Sequence, residues 1–161
     1  MDSDHSTDPG AAEGARHGIA RSPEWPRVEH AHLQSQPQCA ACGASGRGLQ
    51  VHHVFPFHYC VALGRPDLEL DPRNLITLCE SEQGEAGDNH HLLIGHLDDF
   101  RSSNLDVETD ATATFHGMAA AAIRADPRWK QKEAARLPPL DRMSDADKAA
   151  FQARMNERFP R

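Results

Sequence analysis

Cys39 and Cys42 are two thiols separated by two residues in a glycine-rich turn, CAACG at 39–43. That spacing lets two thiolates of one turn reach a single tetrahedral zinc. The other half of such a site has to come from elsewhere in the chain. Cys79 directly follows the apolar run LITL at 75–78, and His90 comes after ten intervening residues. Cys39, Cys42, Cys79 and His90 are therefore the candidate ligands of a structural Zn2+, with Cys60 as the alternative fourth ligand. The competing reading, small apolar thiols in a core, is disfavoured because the C-x2-C pair lies in a glycine turn and not in an apolar run.

A second group comprises His52, His53, Asn74, His91 and His96. Adjacent residues of a strand point to opposite sides, so His52 and His53 divide their work. One can ligate a metal while the other faces a substrate, and a neutral imidazole near pH 7 can accept a proton. Asn74 stands between a turn and a strand, where its amide can bond the backbone of a neighbouring loop. His91, in the first turn of a helix, can face the strands. His96 follows five residues later, about 140° around a regular helix. It joins His91 only if the helix starts irregularly, and Gly95 marks a place for distortion or a close contact. Each residue taken alone is more often a structural group, and only their combination points to chemistry. His58, close after Pro56, reads as a surface or loop group.

The elements that must position these residues follow from local pattern. Ser22-Pro23-Glu24 has the form of a helix start, Trp25, Val28 and Leu33 fall at near-helical spacing, and Pro37 ends the run. Residues 49–54 (LQVHHV) and 75–78 (LITL) read as two short strands. Between them lies a loop carrying Gly64-Arg65-Pro66 and the Asp71-Pro72 turn. Residues 80–88 (ESEQGEAGD) form an acidic surface loop, after which Asn89 caps a helix from about His90 to Phe100. An alanine-rich helix is expected over about 107–125. Ser144 caps a last helix whose Phe151, Met155 and Phe159 recur at four-residue steps.

The whole chain has 161 residues, 39% of them hydrophobic, with 11 glycines and 11 prolines. This suits one domain with extended ends and excludes a low-complexity chain. No apolar run reaches membrane-span length, and the first ten residues lack the pattern of a signal peptide, so the expected location is the cytoplasm. The net charge of -7 argues against a protein that coats nucleic acid by bulk charge. Residues 21–104 carry six basic against eleven acidic residues, so any nucleic-acid footprint must be a small patch.

The motifs CAACG (39–43), LQVHHVFPF (49–57), LELDPRNLITLC (68–79) and NHHLLIGHL (89–97), in this order, resemble the HNH endonuclease family. The resemblance spans residues 21–104. It implies an α+β fold: a small ββα-metal HNH core stapled by zinc, with flanking helices. The chain then divides into a disordered leader (1–20), an HNH nuclease domain (21–104) and a helical C-terminal extension (105–161). The implied activity is metal-dependent hydrolysis of DNA phosphodiester bonds, with RNA not excluded as a substrate. His53 would be the general base, with Asn74 holding its loop. His52 and His91, with His96, would bind a catalytic divalent metal (Mg2+, Mn2+, Ni2+ or Zn2+). Cys39, Cys42 and Cys79 match the family's structural zinc ligands. Arg47 and Arg101 are the candidate contacts to flanking phosphates, and a partner protein could deliver the substrate. Two features depart from the family pattern: the second knuckle, usually C-x2-C-H, is here Cys79 followed by a loop and His90-His91, and Gln50 stands where a glutamate is common. The alternative function is a non-catalytic zinc-stapled module binding nucleic acid or protein, which would need the zinc but no general base.

Overall fold

The computed structural model describes residues 20–46, 48–80 and 89–161. The expected leader (but for Ala20), Arg47 and most of the acidic loop lie outside the described residues. The elements run in the order α1 (Trp25–Ser35), β1 (Leu49–His53), α2 (Phe57–Ala62), two 3-10 turns (Pro66–Glu69 and Pro72–Asn74), β2 (Leu75–Cys79), a π-helical turn (His91–Gly95), α3 (Val107–Thr109) leading into a second π-helical turn (Asp110–Thr114), α4 (Ala120–Ala125), α5 (Pro127–Ala134), a 3-10 turn (Leu140–Arg142) and α6 (Asp145–Arg158). The fold is α+β. No helix among the described residues is long and apolar enough to cross a membrane.

The two strands pair antiparallel, with Leu49 opposite Cys79 and His53 opposite Leu75. Strand alternation then sorts the side chains onto two faces. Val51 and Leu75 pack with Trp25 of α1 on one face, whereas Ile76 and Leu78 enter the main core on the other. The turn carrying Cys39 is tied to β2 by the Ala40 amide, which donates to the Thr77 carbonyl at 2.9 Å. The Thr77 hydroxyl in turn donates to the Gln36 carbonyl at 2.8 Å. The first cysteine pair is thus bonded to the strand that ends in Cys79.

Several local expectations are corrected. The first helix begins at Trp25 and not at Pro23: Glu24 occupies the capping position, a proline lies in the first turn, and the Ser22 hydroxyl accepts from the Glu24 amide at 3.1 Å. The stretch after Pro56, expected as a loop, contains α2, whose Phe57, His58, Tyr59 and Cys60 are all buried. Proline before an apolar run and Gly64 after it, at φ +86°, were the available signals. The helix expected over about 90–100 is a single π-helical turn. Leu97 and Asp98 then reverse the chain in the left-handed region, at φ 52° and 66°. The alanine-rich helix is likewise interrupted, by the second π-helical turn and by Gly117 at φ 75°. The last helix starts as expected, with the Ser144 hydroxyl accepting from the Asp147 amide at 3.0 Å.

One main core joins the knuckle and strands to the C-terminal helices. Cys39, Val54, Phe55, Ile76, Leu78, Leu93 and Ile94 pack in it with Phe115, Ile123, Trp129, Phe151, Met155 and Phe159. Phe55, just beyond β1, meets Phe151 and Phe159 edge-on, with ring centres 5.5 and 5.7 Å apart. The helical extension is therefore a wall of the same core that holds β1.

Candidate active site

Among the described residues, two groups of side chains place metal-ligating atoms within 4.8 Å of one another: Cys39, Cys42, Cys79 and His90, and His52, His91 and His96. In the first group the Cys42 and Cys79 sulfurs are 4.0 Å apart, and His90 Nδ1 lies 3.2 Å from Cys79 Sγ and 3.8 Å from Cys39 Sγ. Three sulfurs and one imidazole nitrogen around one point are the donor set of a closed zinc site. The thiols are electrostatically mismatched by themselves. The contact with Cys79 pulls the Cys39 thiol below the usual thiol range, while the same contact and burial push Cys79 above it. A divalent cation lets all the sulfurs ionise together. Cys60 lies elsewhere: fully buried, it faces the Phe55 carbonyl at 3.4 Å, and burial pushes its thiol up to about 12.

The second group brings three imidazoles together from two elements. His52 comes from β1, His91 from the start of the π-helical turn and His96 from just past its end. The wider turn allows this: a π-helical segment takes an extra residue per hydrogen-bonded ring, bringing a residue five positions on back beside the first. His91 Nε2 and His96 Nε2 are 3.2 Å apart. Gly95 admits His52, since a Cβ at that position would lie 3.2 Å from His52 Cε1.

The tautomers follow from their partners. His96 Nδ1 faces the Ser102 carbonyl at 2.7 Å, which can only accept, so Nδ1 carries the proton. His91 Nδ1 faces the Glu80 carboxylate at 3.1 Å, with the same consequence for a carboxylate. The two Nε2 atoms are turned toward each other, and His52 Nε2 is buried without a hydrogen-bond partner among the described residues. A buried imidazole nitrogen left unpaired is costly, and a cation between the three rings would satisfy it. Ligand nitrogens about 2.0–2.1 Å from a common tetrahedral ion lie about 3.3 Å apart, close to the observed separation. Burial, reinforced by the neighbouring imidazoles, holds His52 well below the usual histidine range and His96 at about 3. His52 and His96 are therefore neutral, which is the ligating state.

His53 turns to the other side of β1. Its Nε2 faces the Glu69 carbonyl at 2.8 Å, so that nitrogen carries the proton and Nδ1 keeps the lone pair. The ring packs on Trp25, with centres 4.7 Å apart. Burial first, and the Arg21 guanidinium second, lower its pKa to about 3, keeping it neutral. Asn74, fully buried, fixes the surroundings. Its Oδ1 accepts from the Phe55 amide at 2.8 Å, and its Nδ2 donates to the Phe55 and Leu68 carbonyls, each at 3.0 Å. Asn74 thereby ties the chain just after His53 to the turn that supplies the Glu69 carbonyl.

His52, His53, His91 and His96 line one cleft, together with Arg21, His58 and Phe57. His58 is buried there, which corrects its reading as a surface group. Arg21 was assigned no role from sequence, because nothing in its neighbours predicts that the segment before α1 folds over the end of β1. Arg101 does not line the cleft and pairs with Asp99 at the surface, 3.4 Å away. Its neighbour Phe100 packs against the His91 and His96 rings at 5.6 and 5.0 Å.

Comparison with known proteins found no matching family model, no matching curated protein and no matching solved structure.

Proposed function

We propose that the protein is a metal-dependent endonuclease of the HNH type, hydrolysing phosphodiester bonds of DNA, with the strand, strand and π-helical turn acting as a ββα-metal core. The observation that carries this reading is the cleft in which a backbone-anchored neutral histidine, His53, stands beside three imidazoles with converging ring nitrogens. A zinc-binding module has no need of this second arrangement.

The residues present fit a divalent metal at His52, His91 and His96. Bound there, it would supply Lewis-acid stabilisation of the negative charge that grows on the phosphate and the leaving oxygen. Imidazole nitrogens suit zinc or nickel better than manganese or magnesium, which prefer oxygen ligands. The Glu80 carboxylate and Ser102 carbonyl orient His91 and His96, the outer contacts such ligands need. His53 Nδ1 accepts a proton from the attacking water while the Glu69 carbonyl fixes the ring. Asn74 holds the two segments that set that distance. Cys39, Cys42, Cys79 and His90 hold a structural zinc that joins the knuckle to β2 and to the start of the π-helical turn.

The test is nicking of supercoiled plasmid by metal-free protein resupplied with zinc, nickel, manganese or magnesium, with His53→Ala as control. His53→Ala should keep its zinc and fold but lose about a hundredfold or more in rate, the usual contribution of a positioned base. An unchanged rate in nuclease-free preparations removes His53 from the mechanism. Wild-type protein that binds zinc and cuts nothing with any of these metals is instead a binding module.

A further inference from the structure

The cleft contains a guanidinium that no motif assigns. Arg21 lies in the segment leading into α1 and lines the cleft beside His52, His53, His58, His91 and His96. Its side chain is held on several sides. The guanidinium carbon sits 4.6 Å from the centre of the Trp25 ring and 4.1 Å from that of Phe57, and Nη1 is 3.9 Å from the Glu69 carboxylate. That carboxylate also accepts from the Ser22 amide at 3.0 Å, fixing the backbone next to Arg21. Glu69 therefore anchors two things at once: its carbonyl orients His53, and its carboxylate orients the arginine segment.

We propose that Arg21 is the anion-binding residue of this cleft, its guanidinium contacting a non-bridging oxygen of the phosphodiester that occupies the three-histidine site. The inference rests on the endonuclease reading for the identity of the anion, though not for the existence of an anion site. The charge pattern supports it. The surrounding domain is acidic, so a phosphate needs a fixed positive group besides the metal. Arginine is suited to this: its planar fork stays charged and can offer two parallel N–H groups to oxygens, and aromatic packing leaves that fork pre-organised. The contact reads the backbone and not a base, so it serves cleavage irrespective of sequence.

Two measurements on the full chain test the proposal. Zinc-loaded wild-type protein is titrated with inorganic phosphate while the histidine ring resonances are followed, and the titration is repeated with Arg21→Ala, Arg21→Gln and Arg21→Lys. Saturable binding in the wild type should weaken about tenfold or more in Arg21→Ala and Arg21→Gln, with partial recovery in Arg21→Lys, which keeps the charge but not the fork. Arg21→Gln preserves much of the stem over Trp25 and Phe57, so it carries the comparison should Arg21→Ala lose zinc or unfold. Equal phosphate affinity in the folded variants, or no phosphate binding by the wild type, overturns the proposal. In the plasmid assay the same variants should raise KM severalfold. Unchanged KM and kcat would reject Arg21 and leave the nuclease reading standing. Arg21-dependent phosphate binding in a protein that nicks nothing would retain the anion site and reject the nuclease.

Discussion

The indole N–H of Trp129 donates to the carbonyl oxygen of Leu93 at 2.9 Å, so a residue of α5 completes the hydrogen bonding of the π-helical turn that carries His91 and His96. A turn this short leaves its carbonyls without helical partners, and distant side chains supply them. Asn104 Nδ2 donates to the Ile94 carbonyl at 3.1 Å, and Arg136 donates to the Leu97 carbonyl at 2.7 Å. The left-handed Asp98 is held by two bonds from Arg124, at 2.9 and 3.0 Å.

Trp129→Phe keeps an aromatic body in the core but removes the donor, leaving a buried carbonyl unpaired. That costs about 1–3 kcal/mol, so the urea midpoint should fall. Affinity for a divalent ion at His52, His91 and His96 should weaken several-fold while the cysteine-bound zinc stays. Metal titrations with wild-type affinity in the variant would show that the π-helical turn does not depend on α5.

Gly95→Ala places a methyl group against the His52 ring, 3.2–3.3 Å from three of its atoms. Contacts that short force the ring to move by a few tenths of an ångström. We expect weaker binding of the second metal and slower nicking at unchanged zinc content. An alanine variant with full metal affinity would show that the His52 ring has room to give way.

Cys39→Ser should act on folding itself. A closed zinc site contributes its binding free energy to stability, so zinc content, cooperative unfolding and any activity should fall together, and a strong chelator should reproduce the effect in the wild type. Cys60→Ala, by contrast, should leave zinc stoichiometry intact. Elemental analysis of both variants checks the pair.

His32, buried in α1 with Nε2 lacking a hydrogen-bond partner among the described residues, is held below the usual histidine range by burial. The folded state therefore resists protonation that the unfolded chain accepts near pH 6.5. Above that pH its contribution to stability is fully present, and it declines as the pH falls toward the lowered folded value. His32→Leu should shrink the loss of stability between pH 7.5 and pH 5.5, read from urea midpoints at constant zinc content. An identical loss in variant and wild type would assign the acid sensitivity elsewhere.

Both strands, the last helix and its cap were readable from local pattern, because alternation, branched residues and a capping serine act over a few neighbours. The C-x2-C turn and the run of histidines were readable for the same reason: ligand chemistry resides in residue type. The length of α2 and the breaks in the alanine-rich region were not, since propensity yields to packing against a core assembled from residues 39 to 159.

The sequence by itself determined which donors exist and that Cys39 with Cys42, and His52 with His53, arrive in pairs. Only the tertiary structure decided that His96 converges with His91, that Arg21 enters the cleft and that Cys60 stays out of the Cys39, Cys42, Cys79 and His90 cluster. The reason is geometric. Trp129 and Asn104 bond to the π-helical turn, and Arg136 and Arg124 to the reversal after it at Leu97 and Asp98, from residues up to 39 positions away, and no local reading of residues 90–98 contains those partners.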